Sequence, residues 1–236
     1  LDNEGHYTTA YELAKMADYG LKIDKFKEIV STKCTTINVN GYPRTINNTN
    51  QLLGSISGVY GVKTGFTNGA GRCLVSACKR DELDIITVII GADTTEQRTA
   101  DTIKLINYAY NNFEIVNIKE IIENEFCKWQ RINQGRIFVN KGIENNVELL
   151  LEEPPYEKMA VEKEENVEIE VDSLFYLEAP VEENQVIGNV KVKKSGEVIE
   201  ILDIMVQKEI RKKEIEDYLI IFAKKLLEGI DIRDML

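Results

Sequence analysis

Apolar residues recur along this chain with two different periods, and each period predicts a different kind of element. The helical period appears first, with Leu13 and Ala17 on one face of a short segment. Thr9 and Glu12 precede these residues with the spacing of an N-terminal capping box. Gly20 stands where a helix commonly ends in the left-handed conformation, so a first helix is predicted between Thr9 and Gly20.

Strands are predicted further on, at residues 58–65, 71–80 and 83–93. Asn68-Gly69 is a strong turn signal, and it predicts that the first two strands form a hairpin. The run from Ile85 to Ile90 is apolar on both faces, which is typical of a strand covered on both sides of its sheet.

A second helix follows the third strand. Thr94 and Gln97 again have capping-box spacing at its start. Its apolar stripe consists of Ala100, Ile103, Ile106 and Tyr110. After Phe113 the pattern changes to short β-type runs, which are separated by Pro, Glu-rich and Ser-Gly turns. This change predicts a separate, small antiparallel domain.

The C-terminal segment, residues 208–236, has a helical period again. The predicted helix extends to about Glu228, and Gly229 is its stop. Its apolar stripe consists of Ile215, Leu219, Phe222 and Leu226. Clusters of Lys and Arg flank the stripe, which suits an anionic membrane interface. The alternative is a helix that packs on the β domain or on a partner chain.

These patterns predict an α+β chain of three parts. Residues 1–113 combine helices with an antiparallel sheet, residues 114–207 form a small all-β domain, and residues 208–236 form an amphipathic helix. Apolar residues make up 43% of the 236 residues, enough for a hydrophobic core.

Charge and composition exclude several classes of function. The net charge of -11 argues against a nucleic-acid partner, because phosphate binding needs clustered Lys and Arg. One His and four Cys without a C-x-x-C pair predict neither a metal site nor another cofactor. Cys73 and Cys78 are an odd number of residues apart in one strand, so we expect no disulfide between them. The cysteines are interpreted as small buried hydrophobes.

The tripeptide Lys63-Thr64-Gly65 is the most specific signal in the chain. At the edge of a cleft, Lys63 could position a carboxylate and polarise a hydroxyl, and Thr64 could donate a hydrogen bond to an anion. Gly65 would let the backbone of an extended peptide approach and pair along the strand. Alone, the tripeptide is a weak signal, and the alternative is a strand end with a solvated lysine.

Residues 1–113 resemble the second half of the D-alanyl-D-alanine carboxypeptidase domain, in the low-molecular-weight penicillin-binding family. The similar text is "GHYTTAYELAKMA", "NNTNQLL", "GVYGVKTGFTNGAGRCLVSACKR" and the capped helix that contains Arg98, in the same order and spacing. Residues 115–207 are similar to the family's C-terminal domain in architecture. The fold implied is a partial penicillin-binding, serine β-lactamase-like domain followed by the small β domain.

The resemblance implies a serine acyl-transfer enzyme on the outer face of the bacterial cytoplasmic membrane. Family members remove the terminal D-Ala from peptidoglycan stem peptides through an acyl-enzyme, and β-lactams inhibit them. The residues implied in substrate binding are Lys63, Thr64, Gly65 and Arg98. A C-terminal amphipathic helix that contacts the membrane is common in the family.

The chain departs from the family in its nucleophile motifs. Its one S-x-x-K match, Ser76 with Lys79, lies in a predicted strand, where the two side chains face opposite ways. No S-x-N is present, and Tyr110-Asn111-Asn112 copies a variant of that motif at a helix end. No catalytic residue is therefore assigned. The chain begins at Leu1 with neither Met nor a signal peptide, so we expect the N-terminal half of the catalytic domain to be absent.

Two hypotheses follow. The chain is either part of a D-Ala-D-Ala carboxypeptidase, inactive alone, or a non-catalytic module that binds or scaffolds the cell envelope. In the first case, two N-terminal strands of the family's sheet are missing, and an exposed apolar edge is expected at residues 85–90.

Overall fold

The computed structural model describes residues 2–227. The chain divides into two compact units, and the first extends to Ile115 and includes Ala160–Lys163. The second consists of Val116–Met159 and the chain from Glu164 onward. The predicted α+β class is confirmed, whereas the boundaries predicted after residues 113 and 207 stay predictions.

The first unit begins with two helices, α1 (Ala10–Leu21) and α2 (Asp24–Ser31). The predicted capping box is present: the Thr9 hydroxyl accepts from the Glu12 N–H at 3.2 Å, and the Glu12 carboxylate accepts from the Thr9 N–H at 2.9 Å. The prediction for Gly20 is wrong, because α1 continues to Leu21 and ends at Lys22 in a right-handed conformation. Helix α2 was not predicted.

A hairpin follows, with strands β1 (Cys34–Val39) and β2 (Tyr42–Asn47). It turns at Asn40-Gly41, both with positive φ, which is the geometry that an Asn-Gly pair favours. Every residue of the two strands is exposed. The hairpin therefore has two solvent-accessible faces within the described chain.

The central element of the first unit is an antiparallel sheet of three strands in the order β3-β4-β5. The strands are β3 (Val59–Thr67), β4 (Gly71–Arg80) and β5 (Leu83–Ala92), and the helix α3 (Thr95–Asn112) follows them. These four elements agree with the sequence prediction. Thr94 caps α3 by accepting the N–H of Gln97 at 3.1 Å.

Strand β5 is apolar on both sides because a helix covers each face of the sheet. Ile85 packs into the cluster that includes Ile106 of α3, whereas Ile86 packs into the cluster that includes Ala17 of α1. Within the described sheet β5 is an edge strand, as expected. Its side chains are mostly half-buried, and Ile90 is exposed.

The second unit is built on an antiparallel sheet of four strands in the order β10-β12-β13-β8. Most of β6 (Phe113–Asn117) and of β9 (Lys158–Glu162) belongs to the first unit. The other elements after α3 are α4 (Ile118–Ile132), β7 (Phe138–Asn140), β8 (Leu149–Leu151), β10 (Val167–Ser173), β11 (Tyr176–Glu178), β12 (Val186–Lys194), β13 (Glu197–Val206) and α5 (Ile215–Leu227). Helix α4 was not predicted, and its residues Ile118, Ile122 and Phe126 belong to the core of this β-rich unit.

The C-terminal helix is shorter than predicted at its start. Residues before Ile215 are not helical: Ile210 pairs with Val181, and Lys212 pairs with Gly142, as isolated β-bridges. Ile210 is buried in the core of the second unit, which explains why this stretch is extended. The predicted end at Glu228 and Gly229 lies outside the described residues. Across residues 2–227, every helix is too short or too polar to cross a membrane.

The four cysteines are all free thiols, as expected for Cys73 and Cys78. Only Cys78 is buried and Cys73 is half-buried, whereas Cys34 and Cys127 are exposed. The interpretation of all four as small buried hydrophobes is therefore wrong for Cys34 and Cys127. Cys34 lies in the exposed hairpin, and Cys127 lies on the outer side of α4.

Candidate substrate-binding site

Strand β3 carries the K-T-G tripeptide toward its end, opposite the first half of β4. Lys63 and Gly65 are exposed and Thr64 is half-buried, in keeping with the alternation of a strand. The Lys63 ammonium donates to the carbonyl of Thr64 at 2.6 Å. In residues 2–227 no carboxylate forms an ion pair with Lys63. Its charge is therefore available to a bound anion.

The backbone conformation and packing at Gly65 do not require a glycine. Its φ is not positive, and a Cβ added at this position would meet only Cys73 Cβ, at an ordinary contact distance of 3.7 Å. Gly58, immediately before the same strand, is different: φ is +85° and an added Cβ would clash with the Lys79 carbonyl oxygen. The absence of a side chain at Gly65 leaves its exposed side open to another backbone.

An Asn-rich turn before β3 positions a hydroxyl beside Thr64. The Oγ1 atoms of Thr49 and Thr64 are 2.6 Å apart. Asn50 is 2% exposed, donates to the Gly61 carbonyl at 3.0 Å and accepts the N–H of Leu52 at 3.1 Å. The turn is therefore tied to β3 through a buried amide, and this tie fixes Thr49.

Arg98 lies in the first turn of α3 and is the most unusual charge of the first unit. It is only 5% exposed, and its Nε is buried without a hydrogen-bond partner in the described chain. Burial, followed by the positive charge of Arg72, lowers the pKa of Arg98, and Cys73 and Glu96 act in the opposite direction. A lowered pKa means that the surroundings disfavour the charged guanidinium.

The neighbours of Arg98 place it at the K-T-G end of the sheet. Arg72 and Cys73, which act on its pKa, are paired across the hairpin with Phe66 and Gly65. Arg72 lies over the ring of Phe66, with 4.5 Å between the guanidinium carbon and the ring centroid. The end of the β3–β4 hairpin thus combines two guanidinium groups with an open glycine, an arrangement that suits the carboxylate of an extended peptide.

The candidate nucleophile motifs have structural roles. Ser76 is fully buried and donates to the Gly61 carbonyl at 3.1 Å, whereas Lys79 is exposed. The Tyr110 hydroxyl contacts the carbonyls of Cys78 at 2.7 Å and Leu83 at 3.1 Å, and burial raises its pKa. Neither motif therefore presents a serine or tyrosine hydroxyl next to a lysine.

Comparison with known proteins finds two families that are similar to separate parts of the chain. Residues 1–94 match the family described as D-alanyl-D-alanine carboxypeptidase, and residues 131–212 match the family described as penicillin-binding protein 5, C-terminal domain. Residues 1–94 are thus similar to the D-alanyl-D-alanine carboxypeptidase family, and residues 131–212 are similar to the C-terminal domain of penicillin-binding protein 5. The first match includes the K-T-G tripeptide and ends four residues before Arg98.

Among curated relatives, D-alanyl-D-alanine carboxypeptidase DacF of Bacillus subtilis is 29% identical over 216 residues, which cover 90% of this chain and 53% of the relative. Its counterpart DacA of Escherichia coli is 27% identical over 210 residues, or 89% of this chain and 50% of the relative. The chain thus spans about half the length of these relatives.

A solved structure, penicillin binding protein 5 from Haemophilus influenzae, superposes with a TM-score of 0.60 at 23% identity. The superposition covers 90% of this chain and 59% of that chain. It supports the fold of the chain.

Proposed function

We propose that this chain holds the substrate of a serine-type D-Ala-D-Ala carboxypeptidase that trims peptidoglycan stem peptides outside the cytoplasm. The observation that carries the proposal is Arg98, whose buried Nε has no hydrogen-bond partner in the described chain and which lies near Arg72 and Cys73 of the K-T-G hairpin. A buried charge with an unsatisfied donor is costly, so a ligand that supplies an anion at this position would stabilise it. The terminal carboxylate of a stem peptide is such an anion.

The remaining residues fit an extended peptide that ends at this carboxylate. The open side of Gly65 admits the peptide backbone, which would pair along β3 as an added strand. Thr64, supported by Thr49, can donate a hydrogen bond to the carboxylate. Lys63 would supply positive charge near the reacting carbonyl.

The reaction would proceed by acyl transfer. A serine hydroxyl attacks the carbonyl carbon of the penultimate D-Ala, its proton passes to the leaving amine, and the terminal D-Ala departs. Water then hydrolyses the ester of the acyl-enzyme and restores the serine. No residue of this chain is assigned as that serine. A β-lactam would inhibit the complete enzyme because its ester with the serine hydrolyses slowly.

The test of the enzymatic proposal is the substitution Lys63→Ala in the product of the complete gene. Losing one charge that stabilises the transition state typically costs about 2.7–4 kcal/mol, so we expect kcat/KM on a D-Ala-D-Ala peptide to fall about a hundred- to a thousandfold. The matched control is Lys79→Ala, because Lys79 is an exposed lysine on the neighbouring strand. Near-normal kinetics for Lys63→Ala would show that Lys63 is a solvated strand lysine.

A second candidate function is a non-catalytic module that binds the cell envelope. It is favoured by the burial of Ser76 away from exposed Lys79. On either hypothesis, the 236-residue chain alone should form no covalent adduct with a fluorescent penicillin on a denaturing gel. A labelled band that disappears in Ser76→Ala would contradict both. Catalysis by the complete gene product, lost in Lys63→Ala, favours the enzyme.

Helix α5 supports a peripheral membrane contact as part of this proposal. Its predicted stripe is exposed along its whole length, from Ile215 at 79% through Leu219 at 62% and Phe222 at 40% to Leu226 at 53%. The basic residues before the helix are less available than the sequence indicates, because Arg211 is paired with Asp217 and Lys213 lies over Tyr218. The alternative is docking on a partner chain.

Sedimentation with anionic vesicles separates these two roles of α5. We expect the chain to co-sediment, and a chain that ends at Glu214 to stay in solution. The truncation begins at Ile215 because a longer deletion would remove Ile210 from the core of the second unit. Equal sedimentation of the two chains would favour docking on protein.

A further inference from the structure

The second unit contains a cavity of about 990 Å³ between the C-terminal end of α4 and the start of β8. This volume lies within the range of about 300–1,000 Å³ that is common for small-molecule sites. Its lining includes Trp129 and five carboxamide side chains. The carboxamides are Gln130, Asn133, Gln134, Asn146 and Gln207.

Hydrogen bonds fix the walls of the cavity. Asn133 is 8% exposed; its amide donates to the Trp129 carbonyl at 3.0 Å, and its Oδ1 accepts from Arg136 Nη1 at 3.1 Å. On the opposite wall, the N–H of Gln207 donates to the Glu148 carbonyl at 2.8 Å. These contacts tie neighbouring parts of the lining to one another, which lowers the cost of ordering them when a ligand binds.

The other four carboxamides have side chains without a hydrogen-bond partner in residues 2–227. Each of these amides can donate through its NH₂ group and accept through its carbonyl oxygen. Gln130 is half-buried, and the other three are exposed. Together they offer uncharged donors and acceptors from three segments of the chain, which is the complement of a ligand rich in hydroxyl or amide groups.

The charges of the lining argue for a neutral ligand. The charged residues of the lining are Arg131 and Glu148. Arg131 Nε donates to the Cys127 carbonyl at 3.3 Å, and Glu148 forms an ion pair with Lys208 at 2.9 Å. With one positive and one negative side chain, the cavity has no excess of cations for a phosphate or a carboxylate. An anionic ligand would need such an excess.

Trp129 gives the cavity an aromatic surface in a fixed position. Its ring stacks with that of Phe126 at 6.0 Å between centroids and packs against Phe175 at 6.2 Å. It remains half-buried rather than buried. An aromatic ring with partial exposure can pack against the C–H face of a sugar ring, since that face is apolar.

We propose that this cavity binds a short, neutral N-acetylated glycan, whose hydroxyl and acetamido groups pair with the carboxamides and whose ring packs on Trp129. The inference deepens the proposed function and rests on it, because the glycan would belong to the same polymer as the stem peptide. Bound there, the glycan would keep the enzyme on the polymer between successive cleavages.

Trp129 is the single tryptophan of the chain, so its fluorescence reports on the cavity directly. The probe is N,N'-diacetylchitobiose, titrated into the 236-residue chain. We expect a saturable change with a Kd of about 1 mM. Gln130→Ala and Gln207→Ala should each raise Kd about three- to tenfold, as the loss of one hydrogen bond predicts. Asn124→Ala is the matched control, because Asn124 is exposed on the same helix and does not line the cavity.

No saturation up to about 10 mM, or equal weakening by Asn124→Ala and Gln130→Ala, would overturn the inference. A lower Kd for inorganic phosphate than for the sugar would also overturn it, and would indicate an anion site. Failure of the glycan site can be distinguished from failure of the proposed enzymatic function. Normal trimming of D-Ala-D-Ala peptides without sugar binding contradicts only the glycan site, whereas sugar binding without trimming contradicts only the proposed enzyme.

Discussion

Each unit of the protein has one buried polar atom without a hydrogen-bond partner in residues 2–227, and the two atoms differ in charge. In the first unit it is Nε of the Arg98 guanidinium, and in the second it is Oδ1 of the Asn189 amide. A buried charge costs far more than a buried neutral amide, unless a partner compensates it. The more costly of the two groups therefore lies near Arg72 and Cys73, in the hairpin that contains the K-T-G tripeptide.

The two units also differ in the size of their hydrophobic clusters. In the described chain, the second unit has one cluster of fifteen buried residues, whereas the first has two clusters of six and four on opposite faces of its sheet. The first unit also carries the fully exposed β1–β2 hairpin. The second unit is therefore stabilised by one large core, whereas the first unit has a smaller cluster on each face of its sheet.

The largest expected effect tests the core of the second unit. Ile204→Ala removes a side chain that is 0% exposed, and it should lower the free energy of unfolding by about 2–5 kcal/mol. Ile201→Ala is the matched control, because Ile201 lies on the same strand and is 52% exposed; it should cost less than about 1 kcal/mol. Urea unfolding measures both. Similar costs for the two variants would contradict a single cooperative core.

The next prediction compares Gly58, a glycine that the fold requires, with Gly65, a glycine whose open side could contact a ligand. Gly58→Ala combines a φ of +85° with a clash between the new Cβ and the Lys79 carbonyl oxygen, and it should destabilise the first unit by about 1–3 kcal/mol. Gly65→Ala should change stability by less than about 0.5 kcal/mol. It should nevertheless raise KM for a D-Ala-D-Ala peptide in the complete enzyme, since its Cβ would occupy the open side. An unchanged KM would exclude backbone pairing at Gly65.

Arg98→Met tests the unpaired charge itself. Since the pKa of Arg98 is lowered in the folded state, its positive charge disfavours folding at every pH below that pKa. Replacement by an apolar side chain should therefore raise the free energy of unfolding by about 1 kcal/mol and abolish peptide binding. Arg44→Met, at an exposed position of β2 that does not act on the pKa of Arg98, is the control for stability. Destabilisation by Arg98→Met would show that the guanidinium already has a partner.

The fold could be predicted from sequence where period and turn residues agree. Strands β3, β4 and β5 and helix α3 are such elements. Helix α4 was missed although Ile118, Ile122 and Phe126 have helical spacing after the cap residue Asn117. The reason is that strand β6 leads into α4 without a loop, so its β-type residues hide the change of period. The β1–β2 hairpin has a clear Asn40-Gly41 signal but buries neither face.

The candidate site could be predicted only in part. The K-T-G tripeptide and Arg98 were identified from sequence through the family resemblance. The burial of Arg98 and its lack of a partner depend on how α3 packs against β4 and β5, which no local pattern encodes. The contact of Thr49 with Thr64 likewise depends on buried Asn50, which ties two segments that are eleven residues apart.

The smallest effect concerns the exposed helix α5, in contrast to the buried core of the second unit. Asp217 fixes the start of this helix. Arg211 and then the N–H of Glu214 lower the pKa of Asp217 from 3.8 to about 2. Because the folded pKa is depressed, this contribution to helix stability is present above pH 3.8 and is lost as the pH falls through about 2.

NMR titration of the Asp217 carboxyl should therefore give a midpoint near 2, and Asp217→Asn should remove the acid-dependent loss of helix at Ile215. Glu216→Gln, in the same turn, is the control. A midpoint near the ordinary value of 3.8 would show that Arg211 is free in solution. Its charge would then be available to an anionic membrane, because it would no longer be held at the start of α5.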